Sequence, residues 1–312
     1  MNSLSIHELE KLQIYILSRD RPNFLKETID SVLNQDQLQI EYELIISDNS
    51  ENSDVRKMVS KYYKNHQLKY ISVNPPTSAK EHFQMIVSKL KSEFAILLHD
   101  DDVLCSNYLK NMYLAIKENN VVAVGCNAKI FKNNISKATT RTHRFDKPKK
   151  FYNERNFLIQ YLPGNGGNAP FPSYIYRTKY LKKIFLNLPI KGKHADAAIL
   201  SSLLEFGEIL WLEKSLMYYR VHDSNDSVLE KVADRLHLMN YMKKKDIDKN
   251  SINFLLYRLL FWYRWLKLQQ LSLKNLKNRR YRLVLTCIIS KTLKLFRRRN
   301  FWVFVYQRYH RK

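Results

Sequence analysis

The first 126 residues alternate apolar runs of strand length with segments whose apolar residues recur at helical spacing. The apolar runs are nearly continuous, as in strands that are covered on both faces of a sheet. This order predicts an α/β fold built on a mostly parallel sheet flanked by helices. The strand-like runs are 12–17, 42–47, 68–73, 94–98 and 121–126, and the helix-like segments are 22–33, 55–63, 79–90 and 107–117.

Beyond residue 126 the pattern is less regular. Three of the six glycines fall in one short segment, which predicts a turn there. Ser106 is the expected N-cap of the helix that begins at residue 107. The other expected elements are an irregular loop over 133–150, the glycine-rich turn over 163–168, an extended segment over 171–177, a helix over 194–206 and short strands over 209–220.

Most of the positive charge lies at the C-terminal end of the chain. The formal net charge is +24, and +19 of it falls between Lys231 and Lys312, where 22 Lys and Arg stand against 3 Asp and Glu. This segment has a helical pattern and mixes Leu, Phe, Trp and Tyr with the basic residues. We therefore expect one domain over 1–230 and a basic, aromatic-rich helical extension over 231–312. A basic surface attracts a polyanion, either nucleic acid or an anionic membrane.

Several protein classes do not fit the sequence. No G-x-G-x-x-G or G-x-x-x-x-G-K-[ST] motif occurs, so a glycine-rich dinucleotide or phosphate loop is not expected. The three cysteines are far apart and form no C-x-x-C pair, which favours a reduced, cytosolic setting over a disulfide scaffold. Residues 1–11 are polar and predict no signal peptide, and no run of 18 apolar residues predicts a spanning helix.

Polar clusters follow three of the strand-like runs, at 18–21, 48–50 and 99–102. In open parallel sheets, ligands bind beyond the carboxyl ends of the strands. The third cluster is His-Asp-Asp-Asp, and adjacent carboxylates repel one another unless a cation or hydrogen-bond donors compensate. Oxygen ligands suit Mg²⁺ or Mn²⁺, which bridge to substrate phosphates. The cluster therefore predicts a metal–diphosphate site; an exposed acidic loop that caps the following helix is the alternative.

Four motifs occur in order along the chain. They are ILSRDRPNFLKETIDSVLNQ, YELIISDNS, FAILLHDDDVLCSNYL and HADAAILSSLLEFGEILWLEKSLMYYRVHDSNDS. Together they make the sequence resemble family 2 glycosyltransferases, which have the GT-A (Rossmann-like) fold. The resemblance covers about residues 12–228 and departs from the family where Asp-Asn-Ser stands for the common Asp-Asp-Gly-Ser and where Ser106 replaces a frequent proline.

The resemblance implies a nucleotide-sugar site at the strand ends. Asp48 would accept a hydrogen bond from the nucleotide base, with Asn49 beside it, and a turn aspartate is the alternative. Ser18 and Arg19 would line the base and diphosphate. Arg21 would lie on the same side or face solvent. Asp100 and Asp101 would approach the ribose and the metal, and Asp102 would be a metal ligand.

The resemblance also implies the catalytic group. Asp196 would be the base that takes the proton of the acceptor hydroxyl in an inverting transfer, and an N-cap role is compatible with it. His194 replaces an acidic residue common at that place. His222 would contact the metal or the diphosphate, with a structural histidine as the equal alternative. Arg220 and Ser227 would contact phosphate.

The predicted function is thus an inverting transfer of a sugar from a UDP-sugar, with Mn²⁺ or Mg²⁺, to a growing surface polysaccharide. The acceptor is either a glycan or a lipid-linked saccharide. The turn at 164–168 would shape the acceptor pocket or be a plain surface turn. Basic helices with Trp, Phe and Leu opposite lie in membrane interfaces, so 231–312 predicts a peripheral protein on the inner face of the cell membrane. A solvated bundle or a homo-oligomer surface is the alternative for these helices.

Two other function classes compete with this interpretation. A nucleic-acid-binding protein would use the basic tail, but the carboxylates of 100–102 would repel phosphate without a metal. A nucleotidyltransferase also uses carboxylates and Mg²⁺, but segment 18–22 lacks the glycine-rich phosphate loop of those enzymes. Nucleic acid is therefore not an expected partner.

Overall fold

The structure is a computed structural model that describes residues 12–36, 41–64, 66–162, 165–186, 192, 194–222, 232–248, 250–268, 278–297 and 302. The strands are β1 (Leu12–Ser18), β2 (Tyr42–Asp48), β3 (Leu68–Ser72), β4 (Phe94–His99), β5 (Val103–Leu104), β6 (Val121–Phe131), β7 (Thr140–Arg141), β8 (Lys149–Phe151), β9 (Ile175–Arg177) and β10 (Glu208–Arg220).

The helices alternate with the first strands and then dominate the C-terminal part. They are α1 (Pro22–Leu33), α2 (Asp54–Tyr62), α3 (Ala79–Lys89), α4 (Tyr108–Glu118), α5 (Glu154–Gln160), α6 (Thr178–Leu186), α7 (Ala195–Leu203), α8 (Val232–Lys244), α9 (Ile252–Leu268) and α10 (Arg279–Phe296).

One twisted sheet forms the centre of the molecule. Its strands lie in the order β3-β2-β1-β4-β9-β6-β10-β5, with β7 beside β6 and β8 beside β10. The pairs β2–β3, β1–β2, β1–β4 and β6–β10 are parallel, and the short strands β5, β7, β8 and β9 pair antiparallel. The sheet is thus largely parallel with helices around it, which confirms the predicted α/β class.

Both faces of the sheet are covered, which explains the continuous apolar runs of the central strands. All seven residues of β1 are buried. Ile14 and Ile16 point into the core layer that contains α1, α2 and α4, whereas Tyr15 and Leu17 point to the opposite layer with α3, α6 and α7. Pro22 lies in the first turn of α1, as predicted, where its missing N–H costs nothing.

The region after β6 is more regular than the sequence predicts. Segment 133–150 was expected to be an irregular loop, but it carries a 3₁₀ turn and the edge strands β7 and β8. Segment 209–220 forms one long strand with bulges instead of short strands. Segment 171–177 begins with a 3₁₀ turn before β9, and Asn107, not Ser106, is the N-cap of α4. The strands of this region form because distant segments of the chain pair with one another. A local sequence pattern does not show which segments pair.

The first helices of the extension pack into the body. Leu238 and Met242 of α8 and Phe254 of α9 are buried against Leu158 of α5 and Ala198 of α7. Residues of α8 and α9 therefore share one buried cluster with residues of the body. In the part of the chain that the structure describes, none of the helices has both the length and the apolar composition that spanning a bilayer requires.

This packing predicts a position-dependent effect within α8. Leu238 is 2% exposed and Leu236 is 42% exposed, although they lie on the same helix. Leu238→Ala should lower the free energy of unfolding by about 2–5 kcal/mol because it leaves a cavity. Leu236→Ala is the matched control and should change it by less than about 0.5 kcal/mol. Denaturant unfolding measures both, and equal effects would contradict the packing of α8 on the body.

Candidate active site

The parallel register brings the polar clusters together at the carboxyl edge of the sheet. Ser18 at the end of β1 lies opposite Asp48 at the end of β2, and Leu17 lies opposite His99 at the end of β4. The backbone N–H of Arg19 donates to Asp100 Oδ2 at 2.9 Å, which ties the first loop to the third. Three clusters far apart in the sequence therefore form one edge.

The carboxylate of Asp48 is buried and held from two sides. The N–H of Ser50 donates to its Oδ1 at 3.0 Å, and the hydroxyl of Tyr70 donates to its Oδ2 at 2.5 Å. Asn49 and Thr77 exchange two hydrogen bonds, of 2.8 and 2.9 Å, that join this loop to the segment before α3. Hydrogen bonds thus hold the polar groups at the end of β2 in place.

The three aspartates after β4 are buried, and Arg21 compensates two of them. Its guanidinium lies 2.7 Å from Asp100 Oδ1 and 2.8 Å from Asp101 Oδ2. His222 Nε2 lies 3.0 Å from the same Asp101 oxygen. Arg21 therefore faces the cluster, and the alternative that it faces solvent does not describe this structure.

Asp102 is held by main-chain and hydroxyl contacts. The N–H of Arg220 donates to Asp102 Oδ1 at 3.0 Å, and the Thr28 hydroxyl donates to the Asp102 carbonyl at 2.7 Å. The other carboxylate oxygen, Oδ2, is buried and accepts no hydrogen bond from the described residues. A buried carboxylate oxygen in this state needs a partner, because desolvation without one is costly.

The environments push the pKa values of the three carboxyls apart. Burial raises the pKa of Asp100 to about 6, against the opposing charge of Arg21. Burial also favours protonated Asp101, but His99, Arg21 and His222 together outweigh it and hold the pKa of that carboxyl below its ordinary value. Burial and the charge of Asp101 raise the pKa of Asp102 well above its usual range. A further positive charge at this site would relieve the repulsion.

Among the described residues, one set of His, Cys, Asp and Glu side chains brings three ligand atoms within 4.8 Å of one another: His99, Asp101 and Asp102. Oxygen and imidazole donors of this kind suit Mn²⁺ or Mg²⁺. The unpartnered Asp102 Oδ2 supports the same conclusion. The residues present therefore fit a divalent cation. The set contains the predicted ligand Asp102, and it contains Asp101 and His99 in place of the predicted ligand Asp100.

Asp196 lies in the first turn of α7, two residues after His194, the N-cap residue. It keeps partial exposure, yet burial of its carboxyl raises its pKa, against the opposing charge of His194. Its charge adds to burial in raising the pKa of Tyr161 and of Tyr176, so the three side chains share one neighbourhood. A carboxylate with a raised pKa at a helix start can accept a proton.

Apart from Asp196, the sequence-predicted site residues fall into three groups. Those of 18–21, 48–49 and 100–102 meet at one edge together with His222. Arg220 reaches the same edge, where its buried guanidinium contacts the Asp101 carbonyl and Glu27. Ser227 and Gly164 lie outside the described residues.

Sequence reasoning assigned no role to three side chains that the structure brings to the site. They are Thr28 on the Asp102 carbonyl, Tyr70 on Asp48, and His99 in the ligand set. His99 directly precedes the aspartates, and this adjacency is a signal that the sequence offered. No local signal marks Thr28 or Tyr70, because each reaches the site from another element.

The buried carboxyls predict opposite effects of two neighbouring substitutions on stability. Asp100 binds its proton more tightly in the folded chain than in the unfolded chain, because its pKa is about 6 instead of 3.8. Folding therefore loses on the order of 3 kcal/mol as the pH rises from about 4 to about 6. In EDTA, Asp100→Asn should raise Tm at pH 7.5 and have little effect at pH 4.

The matched control is Asp101→Asn. The pKa of Asp101 is lowered in the folded chain, so its charge contributes stability above the ordinary pKa that is lost as the pH falls. This variant should lower Tm at pH 7.5, and the difference from the wild type should shrink as the pH falls below the ordinary pKa of an aspartate. Thermal unfolding at several pH values measures both variants, and a shift of the same sign for the two would contradict these environments.

Comparisons with known proteins give the same family as the sequence motifs. A curated relative, an uncharacterized glycosyltransferase of Nostoc sp. (strain PCC 7120 / SAG 25.82 / UTEX 2576), is 25% identical over 228 residues. The match spans 69% of this chain and 66% of that relative, just under two thirds of its length.

Solved structures share the fold. S. aureus TarS 1–349 in complex with UDP-GlcNAc superposes with a TM-score of 0.63 at 18% identity, over 85% of this chain and 77% of that one. The same fragment in complex with UDP gives a TM-score of 0.53 at 18% identity, over 79% and 75% of the two chains. The family model "Glycosyl transferase family 2" matches residues 14–185, which is more than half of the sequence. With its GT-A sheet and its acidic edge, this chain belongs to glycosyl transferase family 2.

Proposed function

We propose that this protein is an inverting glycosyltransferase that moves a sugar from a UDP-sugar to a hydroxyl of a growing, lipid-linked surface polysaccharide. The observation that carries the proposal is the buried cluster 100–102, with one unpartnered oxygen on Asp102, at the same sheet edge as Asp48. Family membership supports the reaction class, and the complexes of TarS with UDP-GlcNAc and UDP support the choice of nucleotide.

The donor nucleotide would bind between the ends of β1 and β2. Asp48 would accept a hydrogen bond from the base, in an orientation that Tyr70 and Ser50 already fix. Ser18, which is buried next to Asp100 at the end of β1, would contact the nucleotide next to Asp48. A site that is ordered before binding loses less entropy when the ligand arrives.

The diphosphate would bind beside the acidic cluster. Arg19 and Arg21 line this side, and both guanidiniums carry positive charge that suits phosphate oxygens. Asp101, Asp102 and His99 or His222 would hold the Mn²⁺ or Mg²⁺ ion. When bound, this cation supplies positive charge that stabilises the departing nucleotide diphosphate.

Asp196 would act as the base on the acceptor side. Its carboxylate takes the proton of the acceptor hydroxyl while that oxygen attacks the anomeric carbon. The bond from this carbon to the diphosphate oxygen breaks in the same step, so the configuration inverts. A raised pKa suits this role, because the carboxylate then holds the transferred proton more tightly.

Two substitutions at the site separate donor binding from chemistry. Isothermal titration with UDP and Mn²⁺ should detect binding to the wild type, and Asp102→Ala should weaken it by at least about tenfold because a ligand is lost. Asp196→Asn should bind UDP and Mn²⁺ as the wild type does, yet lose about 10²–10⁴-fold in sugar transfer, measured by mass spectrometry with a panel of nucleotide sugars.

The control for these variants is Asp54→Ala, which removes an exposed carboxylate at the start of α2. It should change neither binding nor transfer. UDP binding by Asp102→Ala equal to that of the wild type would contradict the metal assignment, and full transfer by Asp196→Asn would remove this residue as the base. Nucleotidyl transfer in the panel would support the competing function class.

We also propose that the extension holds the protein on the inner, anionic face of the cell membrane. The apolar faces of α8 and of the start of α9 are buried in the body, but α10 exposes a mixed surface. This α10 surface consists of the apolar residues Leu283, Ile289, Leu293 and Phe296, each 45–61% exposed, and the exposed basic residues Arg282, Lys294 and Arg297. Basic residues near anionic lipid contribute about 1 kcal/mol each, and apolar side chains enter the interface.

A double substitution in the α10 surface tests this location. Ile289→Glu with Leu293→Glu should lower binding to phosphatidylglycerol vesicles in flotation by at least about tenfold, because two apolar side chains leave the interface. Leu114→Glu is the matched control, since Leu114 is 44% exposed on α4 in the body. Unchanged vesicle binding would contradict the proposal. If the wild type is a dimer in gel filtration and the double substitution dissociates it, the α10 surface is a homo-oligomer contact.

A further inference from the structure

The last residue of β10 contacts the acidic cluster through both its main chain and its side chain. The N–H of Arg220 donates to Asp102 Oδ1 at 3.0 Å, and its Nε donates to the carbonyl of Asp101 at 2.8 Å. Two consecutive aspartates are thus held by one residue that lies 118 positions later in the chain. Such contacts fix the path of the loop as well as one carboxylate.

The guanidinium of Arg220 is enclosed by protein. Its Nη2 lies 2.5 Å from Glu27 Oε2, and its Cζ lies 4.4 Å from the ring centroids of Phe24 and of Phe131. The whole residue is 3% exposed. A cation stacked between two rings and paired with a carboxylate is stabilised where it lies and is shielded from a ligand.

The main-chain contact of Arg220 determines which oxygen of Asp102 is available to a cation. Because the Arg220 N–H occupies Oδ1, the buried Oδ2 is the oxygen left without a hydrogen bond among the described residues. Groups that orient a ligand side chain control metal affinity nearly as strongly as the ligands do. The same strand end leads to His222, whose ring lies 5.3 Å from that of Phe24 and whose Nε2 contacts Asp101.

We propose that Arg220 is a positioning residue that holds Asp101 and Asp102 in the arrangement that binds the divalent cation, and that it makes no contact with the donor phosphates. The inference rests on the metal site of the proposed function. It replaces the phosphate-binding role that the sequence pattern implied for this arginine. Glu27 and the two phenylalanine rings support this arrangement indirectly, because they hold the guanidinium of Arg220 in place.

Arginine is required at this position because its planar fork reaches two partners in different directions while its faces stack on rings. Lysine keeps the charge but offers one ammonium group and no flat surface, so it cannot satisfy the Asp101 carbonyl, Glu27 and both rings together. Arg220→Lys therefore separates the two roles. Lysine can partly replace arginine in binding a phosphate, but it cannot replace the contacts that the guanidinium makes with several protein groups at once.

The experiment measures two affinities in the full-length protein. Mn²⁺ binding without nucleotide is measured by electron paramagnetic resonance, and UDP binding in EDTA is measured by ligand-observed NMR. Arg220→Lys should weaken Mn²⁺ binding by about 10–100-fold, as for other residues that orient metal ligands. Its UDP affinity in EDTA should stay within about twofold of the wild type, because no phosphate contact is lost.

Arg177→Lys is the matched control. Arg177 also donates to a backbone carbonyl (Val121, 2.9 Å), pairs with a glutamate (Glu93, 3.0 Å) and lies over a ring (Phe94), but at the opposite edge of the sheet. This substitution should leave Mn²⁺ affinity unchanged, so that a general loss of stability is distinguished from a local effect.

Glu27→Gln is a second variant in case Arg220→Lys does not fold. Glu27 is half-exposed, so its neutral isostere preserves the packing, and Mn²⁺ affinity should fall by several-fold. Unchanged Mn²⁺ affinity in Arg220→Lys, or in Glu27→Gln if only that variant folds, overturns the proposal. Weaker UDP binding in EDTA with unchanged Mn²⁺ affinity assigns Arg220 to the phosphates instead. If the wild type binds UDP but no Mn²⁺, the metal site of the proposed function fails and this inference fails with it.

Discussion

Three adjacent carboxylates are buried together at the carboxyl end of β4, and the surrounding elements are arranged around their charge. Each buried carboxylate loses hydration and repels its neighbours, so it needs hydrogen bonds or countercharge. The loop after β1 supplies Arg21 and the N–H of Arg19, and the end of β10 supplies the N–H of Arg220. What these groups leave uncompensated is one oxygen of Asp102, and a divalent cation matches that deficit in both charge and ligand preference.

The sheet makes this compensation available because its strands end in register. β1 and β4 are neighbours and parallel, so the residues after β1 and after β4 meet, and the main-chain N–H of Arg19 reaches Asp100. β10 arrives parallel to β6, and register shifts between Leu212 and Met217 interrupt the ladder. Bulges bend a strand and re-aim its end, often beside a functional site. The short strand β5 then pairs with β10 and fixes the chain directly after Asp102.

The parts of this site that could be predicted from the sequence are those set by local order. A buried strand followed by polar residues identifies a strand end, and parallel strands place those ends at one edge, so 18–21, 48–49 and 100–102 could be grouped without coordinates. The role of Arg220 could not, because its surroundings come from α1 and β6 as well as from the acidic loop. A basic residue near acidic ones predicts attraction, but only the fold decides whether the cation faces a ligand or the protein.

The same distinction applies to the C-terminal extension, whose composition predicts helices and positive charge but not which faces are covered. Leu238 and Phe254 belong to the core beside α5 and α7, and Asn253 of α9 donates to Asn165 of the glycine-rich turn at 2.8 Å. Removing the extension from residue 231 would therefore expose a core and release a contact of that turn. Four of the exposed large apolar side chains of the extension lie together on α10, and the membrane hypothesis is best tested by changing charge there while α8 and α9 stay in place.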